Sequence, residues 1–215
     1  MIRRKFLGVL GSAAAWPLAA SAQQAAIPRI GFVSLGALGG TDVSLAGLRQ
    51  GLVDRGYEIG RNLILDDRYG GGNLDQVSAL IAELLEHNVD VLVTVGTQVS
   101  RAAQRATTKV PIVCISGDPV GTKLVASLSS PGGNITGMSL LSGDYSAKWL
   151  AFLKEAAPKL RRVGVLQNPG NPVTAIEIEN VKQAAPDLGL EVAVLPAGPT
   201  ELEATLTALQ GGSVD

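Results

Sequence analysis

The sequence has one cysteine and one histidine, and this scarcity excludes two kinds of site. A lone cysteine, Cys114, excludes an internal disulfide bond. A lone histidine, His87, excludes a metal site built from several histidines. Cys114 lies in an apolar stretch, so we expect a small core residue. His87 ends a predicted helix, where a hydrogen-bond donor suits the helix dipole, so we interpret it as a capping residue.

The signatures of several enzyme classes are also missing. There is no G-x-S-x-G nucleophile motif, no G-x-x-x-x-G-K-[ST] phosphate loop, and no G-x-G-x-x-G after a predicted strand. We therefore predict no catalytic residue, no metal ligand and no cofactor. The sequence therefore favours a binding protein over an enzyme. Two other functions stay open: an exported α/β hydrolase or transferase with Asp118 as acid or base, and the ligand-sensing lobe of a signalling receptor.

The N-terminus has the three parts of a signal peptide. Residues 3–5 are basic, residues 6–20 are mostly apolar, and residues 20–22 are Ala-Ser-Ala. The apolar part is shorter than the roughly 20 residues that span a bilayer, and no lipid-attachment cysteine follows it. We predict cleavage after Ala22 and a periplasmic location. Residues 3–7, Arg-Arg-Lys-Phe-Leu, also fit the twin-arginine pattern, so either that route or the general secretory route is open.

The remaining chain is mildly acidic. It has 15 lysines and arginines against 19 aspartates and glutamates, because the leader removes three basic residues. This balance argues against nucleic acid or an anionic membrane as a partner. No later segment is apolar for long enough to cross a bilayer, so we expect no stable membrane insertion of the mature chain.

Short apolar stretches alternate with segments of helical periodicity from residue 29 onward. Near-continuous apolar strands separated by helices predict an α/β fold, with parallel sheets covered by helices. The predicted strands are residues 30–33, 62–69, 89–95, 110–115, 162–166 and 190–195. A short helix is predicted at residues 121–128. Asn73 and Asn171 are predicted helix N-caps, and Thr200 with Glu203 a capping box.

The pattern restarts after Pro158, which predicts a second lobe. We expect residues 1–22 to be the signal peptide, 23–138 the first lobe, and 139–215 the hinge crossing and part of the second lobe. Two parallel strands cannot shield both faces of a sheet or satisfy its edges. We therefore expect a C-terminally truncated piece of a longer protein, and rate a dimer that completes the sheet lower.

Small polar residues follow several of the predicted strands. Ligands of open parallel sheets bind beyond the carboxyl ends of the strands. Free N–H groups at helix starts there can hold a carboxylate, and Asp118 can accept from an ammonium or hydroxyl group. Each residue taken alone can equally be a cap or a turn former. The candidate ligand-binding residues are Ser34, Gly96, Thr97, Gly117, Asp118 and Asn168.

Several of these segments resemble one protein family. They include the leader, the opening Ile-Gly-Phe-Val-Ser at 30–34, Gly-Asp-Pro-Val at 117–120, Pro-Gly-Gly-Asn-Ile-Thr-Gly at 131–137 and Asn-Pro at 168–169. Together they resemble ABC transporter substrate-binding proteins related to the receptors for tryptophan and branched-chain amino acids. The resemblance covers the whole chain, although each motif alone is weak.

The resemblance implies a type I periplasmic binding protein, in which two lobes close on a ligand about a hinge. The hinge crossing would fall at residues 134–143. The implied function is capture of a small, amino-acid-like solute in the cleft between the lobes. The implied partner is an ABC permease in the inner membrane.

Overall fold

A computed structural model of the 215-residue chain describes residues 27–37, 42–198 and 201–209. The predicted signal peptide, its cleavage site and Thr200 of the predicted capping box lie outside the described residues. Within the described ranges, no helix is both long and apolar enough to span a bilayer.

The N-terminal part is a five-stranded parallel sheet, which we call the first lobe. Its strands run in the order β2-β1-β3-β4-β5, so the strand order reverses beside β1. The strands are β1 (Arg29–Ser34), β2 (Ile64–Tyr69), β3 (Val91–Val95), β4 (Ile112–Ser116) and β5 (Ile135–Ser139). The intervening helices are α1 (Val43–Val53), α2 (Leu74–Glu86) and α3 (Thr97–Ala106).

The C-terminal part, which we call the second lobe, is built on two parallel strands. These are β6 (Arg162–Gln167) and β7 (Glu191–Pro196). Its helices are α4 (Ser142–Ala156), α5 (Pro172–Ala184) and α6 (Leu202–Leu209), and a short 3₁₀ turn spans Pro186–Leu188. The predicted α/β fold with parallel sheets is confirmed. The domain boundary after residue 138 stays a prediction, and β5 ends at Ser139.

Apolar side chains cover both faces of the first sheet. Val33, Leu92 and Ile112 belong to one cluster with the inward face of α2 and α3, and Phe32 packs on the other face with Leu65. Cys114 lies in the first cluster at 1% exposure, as expected for a core residue. Burial also raises the pKa of its thiol, which favours the neutral, unreactive form.

Side-chain caps fix the start of three helices. Asp42, Asn73 and Asn171 each accept backbone N–H bonds from the first turns of α1, α2 and α5. The predicted caps Asn73 and Asn171 are therefore confirmed. His87 is the C-cap residue of α2, also as predicted.

The predicted helix at residues 121–128 is wrong, because that segment is a series of turns. Lys123 has φ of 57°, a left-handed conformation that interrupts a right-handed helix. The N–H groups of Leu124 and Val125 both donate to the carbonyl of Pro119 rather than continuing a helical ladder. Local hydrogen bonds of this kind compete with helix formation.

Candidate ligand site between the two lobes

The strands of the first lobe end together. Ser34 lies opposite both Tyr69 and Val95 in the sheet, and Ser116 lies opposite Ser139. The loops after these strands therefore share one edge, where open parallel sheets bind ligands. Burial, and then nearby Asp67, raises the pKa of Tyr69 at this edge, so its hydroxyl stays protonated.

Helix α3 begins at this edge without a capping side chain. Its N-cap is Gly96, and no side chain accepts from the first N–H groups of the helix. Gly96 has φ of 97°, which favours glycine, and its own N–H donates to Ile115. The uncapped N–H groups and the positive end of the helix dipole together favour an anion at this position.

The hydroxyl of Thr97 is buried rather than open to a ligand. Its Oγ1 lies 2.9 Å from Oγ of Ser116, and it accepts from the N–H of Gly117 at 3.4 Å. Thr97 is 3% exposed and Ser116 is fully buried. This pair ties the start of α3 to the loop after β4, so it positions the two loops of the candidate site.

Gly117 lies where the two lobes touch. A Cβ atom at this position would be 2.9 Å from Cγ2 of Val173 in α5 and 2.8 Å from Oγ of Ser142 in α4. Both distances are too short for an ordinary contact, so only glycine fits here. The side chains of Val173 and Ser142 in the second lobe pack directly against the backbone of Gly117. Gly121 has the same role toward Ile176, whose Cδ1 is 2.9 Å from a Cβ placed there.

Asp118 both shapes its loop and lines a cavity. One carboxylate oxygen accepts from the N–H of Gly121 at 2.7 Å. The cavity has a volume of about 480 Å³ and is also lined by Ser139 of β5 and by Gly143 and Asp144 of α4. Asp118 is partly buried, and its second oxygen accepts no hydrogen bond from the described residues.

Ser34 and Asn168 have local partners in the structure. The Ser34 hydroxyl accepts from the N–H of Gly36 at 3.2 Å, and Asn168 Oδ1 accepts from the N–H of Gly170 at 3.0 Å. Asn168 thereby forms the turn before α5. These bonds are those of turn formers, and the ligand-binding role of both residues stays a prediction.

One side-chain hydrogen bond joins the two lobes directly over α3. Nε2 of Gln98, in the first turn of α3, donates to the carbonyl of Gly170 at 2.7 Å. The loop at 168–171 therefore lies against the uncapped end of α3. The structure thus brings together four of the predicted positions: Gly96, Thr97, Gly117 and the loop of Asn168. Asp118 lies nearer the crossing, and Ser34 lies on the neighbouring strand.

Sequence reasoning missed Ser142, the first residue of α4. Its Oγ is buried and has no hydrogen-bond partner among the described residues. The preceding residue, Leu141, has φ of 49°, which is uncommon for a residue with a side chain. Unsatisfied polar atoms and strained backbone concentrate at functional sites, but neither has a signal in the sequence.

Known proteins of similar sequence are substrate-binding proteins. The family model for ABC transporter substrate binding proteins matches residues 32–212. The tyrosine-binding protein of Clostridioides difficile (strain R20291) is 29% identical over 154 residues, which are 70% of this chain and 44% of that protein. The relatives are binding proteins rather than enzymes.

Two solved structures have the same fold. A conserved domain protein from Vibrio cholerae is 29% identical with a TM-score of 0.75, over 85% of this chain and 62% of that one. A protein from Streptococcus pneumonia in complex with L-Trp is 24% identical with a TM-score of 0.79, over 87% and 63%. This chain thus spans less than two thirds of the length of these relatives. It belongs to the ABC transporter substrate-binding protein family and has the type I periplasmic binding protein fold.

Proposed function

We propose that the protein is the extracytoplasmic solute-binding component of an ABC transporter and captures an amino acid between its lobes. The observation that carries this proposal is the uncapped start of α3 beneath the loop of the second lobe. In a chain of this family, that arrangement offers a binding position for a carboxylate that both lobes reach.

The ligand carboxylate would bind the first N–H groups of α3. Gly96 brings no side chain to this position, so a carboxylate can approach the backbone closely. The helix dipole adds a favourable interaction with negative charge. The Thr97–Ser116 pair keeps these N–H groups in place without competing for the ligand.

The ligand ammonium group would bind Asp118. One oxygen of this carboxylate is used by Gly121, and the other is free to accept a charged hydrogen bond. Ser142 would add a hydroxyl from the second lobe, because its Oγ has no partner in the structure described here. An aromatic amino acid is the first choice of ligand, since the 29% identical relative is a tyrosine-binding protein.

Binding would work by closure of the lobes. Val173 and Ile176 of the second lobe meet the backbone at Gly117 and Gly121, and the Gln98 bond to Gly170 completes the contact. A ligand that contacts both lobes favours this closed arrangement, because it binds the closed form better than the open form. The closed form would then deliver the solute to a membrane permease.

Calorimetry on the full-length gene product tests the ligand class. The panel is L-tyrosine, L-tryptophan and L-leucine, with 3-(4-hydroxyphenyl)propionate as a tyrosine lacking the ammonium group. We expect at least one amino acid to bind and the deaminated compound to bind more weakly. The absence of heat with all three amino acids would remove the amino-acid assignment.

The variant Asp118→Asn isolates the charge of the proposed ammonium site. Asparagine keeps an oxygen for the Gly121 N–H, so the turn is preserved. We expect the affinity for the amino acid to fall about tenfold or more, the scale of one lost charged hydrogen bond. The affinity for the deaminated compound should stay the same. An equal loss for both compounds would make Asp118 a turn residue only.

A further inference from the structure

A second cavity of about 480 Å³ adjoins the start of α3 and extends from there along α2 and α3, on the side away from Asp118. We call it the α2–α3 groove. Its polar lining comes from Asp75 and Ser78 of α2 and from Gln98, Arg101 and Arg105 of α3, and Gly170 of the second lobe borders it. Gln98, Arg101 and Arg105 lie at helical spacing, so one face of α3 forms the wall.

The arginines of this groove differ from most others in the described part of the chain. Five other arginines each form a salt bridge with an aspartate or glutamate. Within the described residues, Arg101 and Arg105 form none. Two cationic side chains on successive turns therefore lack a carboxylate partner. A carboxylate is the group that the planar guanidinium of arginine binds most specifically, through two parallel hydrogen bonds.

Arg101 is also incompletely hydrogen-bonded. Its Nη2 donates to the carbonyl of Thr122, but its Nε is buried and has no acceptor among the described residues. A carboxylate entering the groove would let the guanidinium turn and use Nε and Nη2 together as a fork. The orphaned nitrogen thus points to a carboxylate as the missing partner.

The shape of the groove favours a loop of a partner protein over a single small molecule. The wall from Gln98 to Arg105 extends for about 10 Å along the helix. The groove meets the solvent at Arg105, which is exposed. Asp75 lines the same groove and lowers its net positive charge. It would repel a carboxylate placed next to it, so it favours a partner segment whose carboxylates lie at the arginines and not at Asp75.

The groove is completed by both lobes. Gly170 reaches it through the hydrogen bond from Gln98, so opening the lobes would remove one border. A partner that binds here therefore distinguishes the closed arrangement from the open one. This is the discrimination that delivery of a loaded receptor to a membrane subunit requires.

We propose that the α2–α3 groove docks an acidic loop of the transporter's membrane subunit, with Arg101 and Arg105 binding its carboxylates. The proposal rests on the proposed function above. It adds to that function the surface that contacts the membrane subunit, the two arginines that bind there, and the negative charge of the segment they bind.

The test compares solute binding with solute uptake in cells that lack the native gene. The gene product is reintroduced as wild type, as Arg101→Gln with Arg105→Gln, or as Arg105→Gln alone, in which only an exposed residue changes. Arg55→Gln is the matched control, because Arg55 is exposed and, within the described ranges, its guanidinium donates to the carbonyl of Gly51 alone. The probe is the radiolabelled amino acid of the panel that binds most tightly.

We expect the double variant to keep its calorimetric affinity for the amino acid while uptake falls about tenfold or more. Arg105→Gln should lose part of the uptake, and Arg55→Gln should transport normally. Normal uptake by the double variant would overturn the proposal. So would a parallel loss of amino-acid affinity, or an equal loss of uptake in Arg55→Gln. A wild type that binds no amino acid removes the proposed function, and the docking proposal falls with it.

Discussion

The two sheets of this chain differ in how completely they are buried. In the first lobe, Phe32, Leu92 and Ile112 are fully buried on three neighbouring strands. In the second lobe, Val163 and Leu190 retain some exposure, and Leu166 of β6 is 43% exposed. Stability within a protein is uneven and follows buried apolar contact. In this chain the first sheet is therefore the better packed of the two.

The same contrast applies to the hydrogen bonds of the candidate site. On the first lobe, the Thr97 and Ser116 hydroxyls satisfy each other in a buried setting. On the second lobe, the Ser142 hydroxyl is buried without a partner. In the site proposed above, the fully satisfied pair would make the first lobe the preformed half. The unpaired Ser142 hydroxyl would be the group of the second lobe that gains a partner on ligand binding.

Matched leucine truncations should give the largest difference between the lobes. Leu92→Ala removes a fully buried side chain in the centre of the first sheet, and Leu190→Ala removes a 6% exposed one before β7. Within the usual range of about 2–5 kcal/mol for such changes, we expect Leu92→Ala near the upper end and Leu190→Ala near the lower. Chemical denaturation measures both values. An equal loss at the two positions would contradict the difference in packing between the sheets.

Removing one hydroxyl on each side of the cleft should change the unfolding free energy by less, and the two variants should differ in direction. Thr97→Val leaves the Ser116 hydroxyl and the Gly117 N–H without their partner, so we expect a loss of about 1–3 kcal/mol in unfolding free energy. Ser142→Ala removes a group with no partner, so the ligand-free protein should be unchanged or slightly more stable. A clear destabilisation by Ser142→Ala would mean that this hydroxyl has a structural role.

Much of the fold was predictable, because its signals are local. Most of the strands are short apolar stretches, and Asn73 and Asn171 stand directly before helical patterns, where their side chains cap the first turn. The failure at residues 121–128 also has a local cause. Composition there permits a helix, but the left-handed Lys123 and the bonds to Pro119 impose turns.

The candidate site was less predictable, because its contacts join distant parts of the chain. The predicted residues Gly96, Thr97 and Gly117 do come together. The bond from Gln98 to Gly170 spans 72 positions, and no local pattern predicts it. Val173 and Ile176 were detectable in principle, since they are apolar residues of α5 that lie apart from Val181, which packs in the core of the second lobe.

The central claim is that an amino acid brings the two lobes together over Gly117. Pulsed electron paramagnetic resonance tests it directly, with spin labels at Ala79→Cys in α2 and Lys182→Cys in α5, both exposed, while Cys114 stays buried. Gly117→Ala places a Cβ too close to Val173, whereas Gly51→Ala, with open space around it, is the matched control. Saturating amino acid should shorten and narrow the interlobe distance in the wild type and in Gly51→Ala, and much less in Gly117→Ala. A distance distribution that is unchanged by bound amino acid in the wild type would contradict the account.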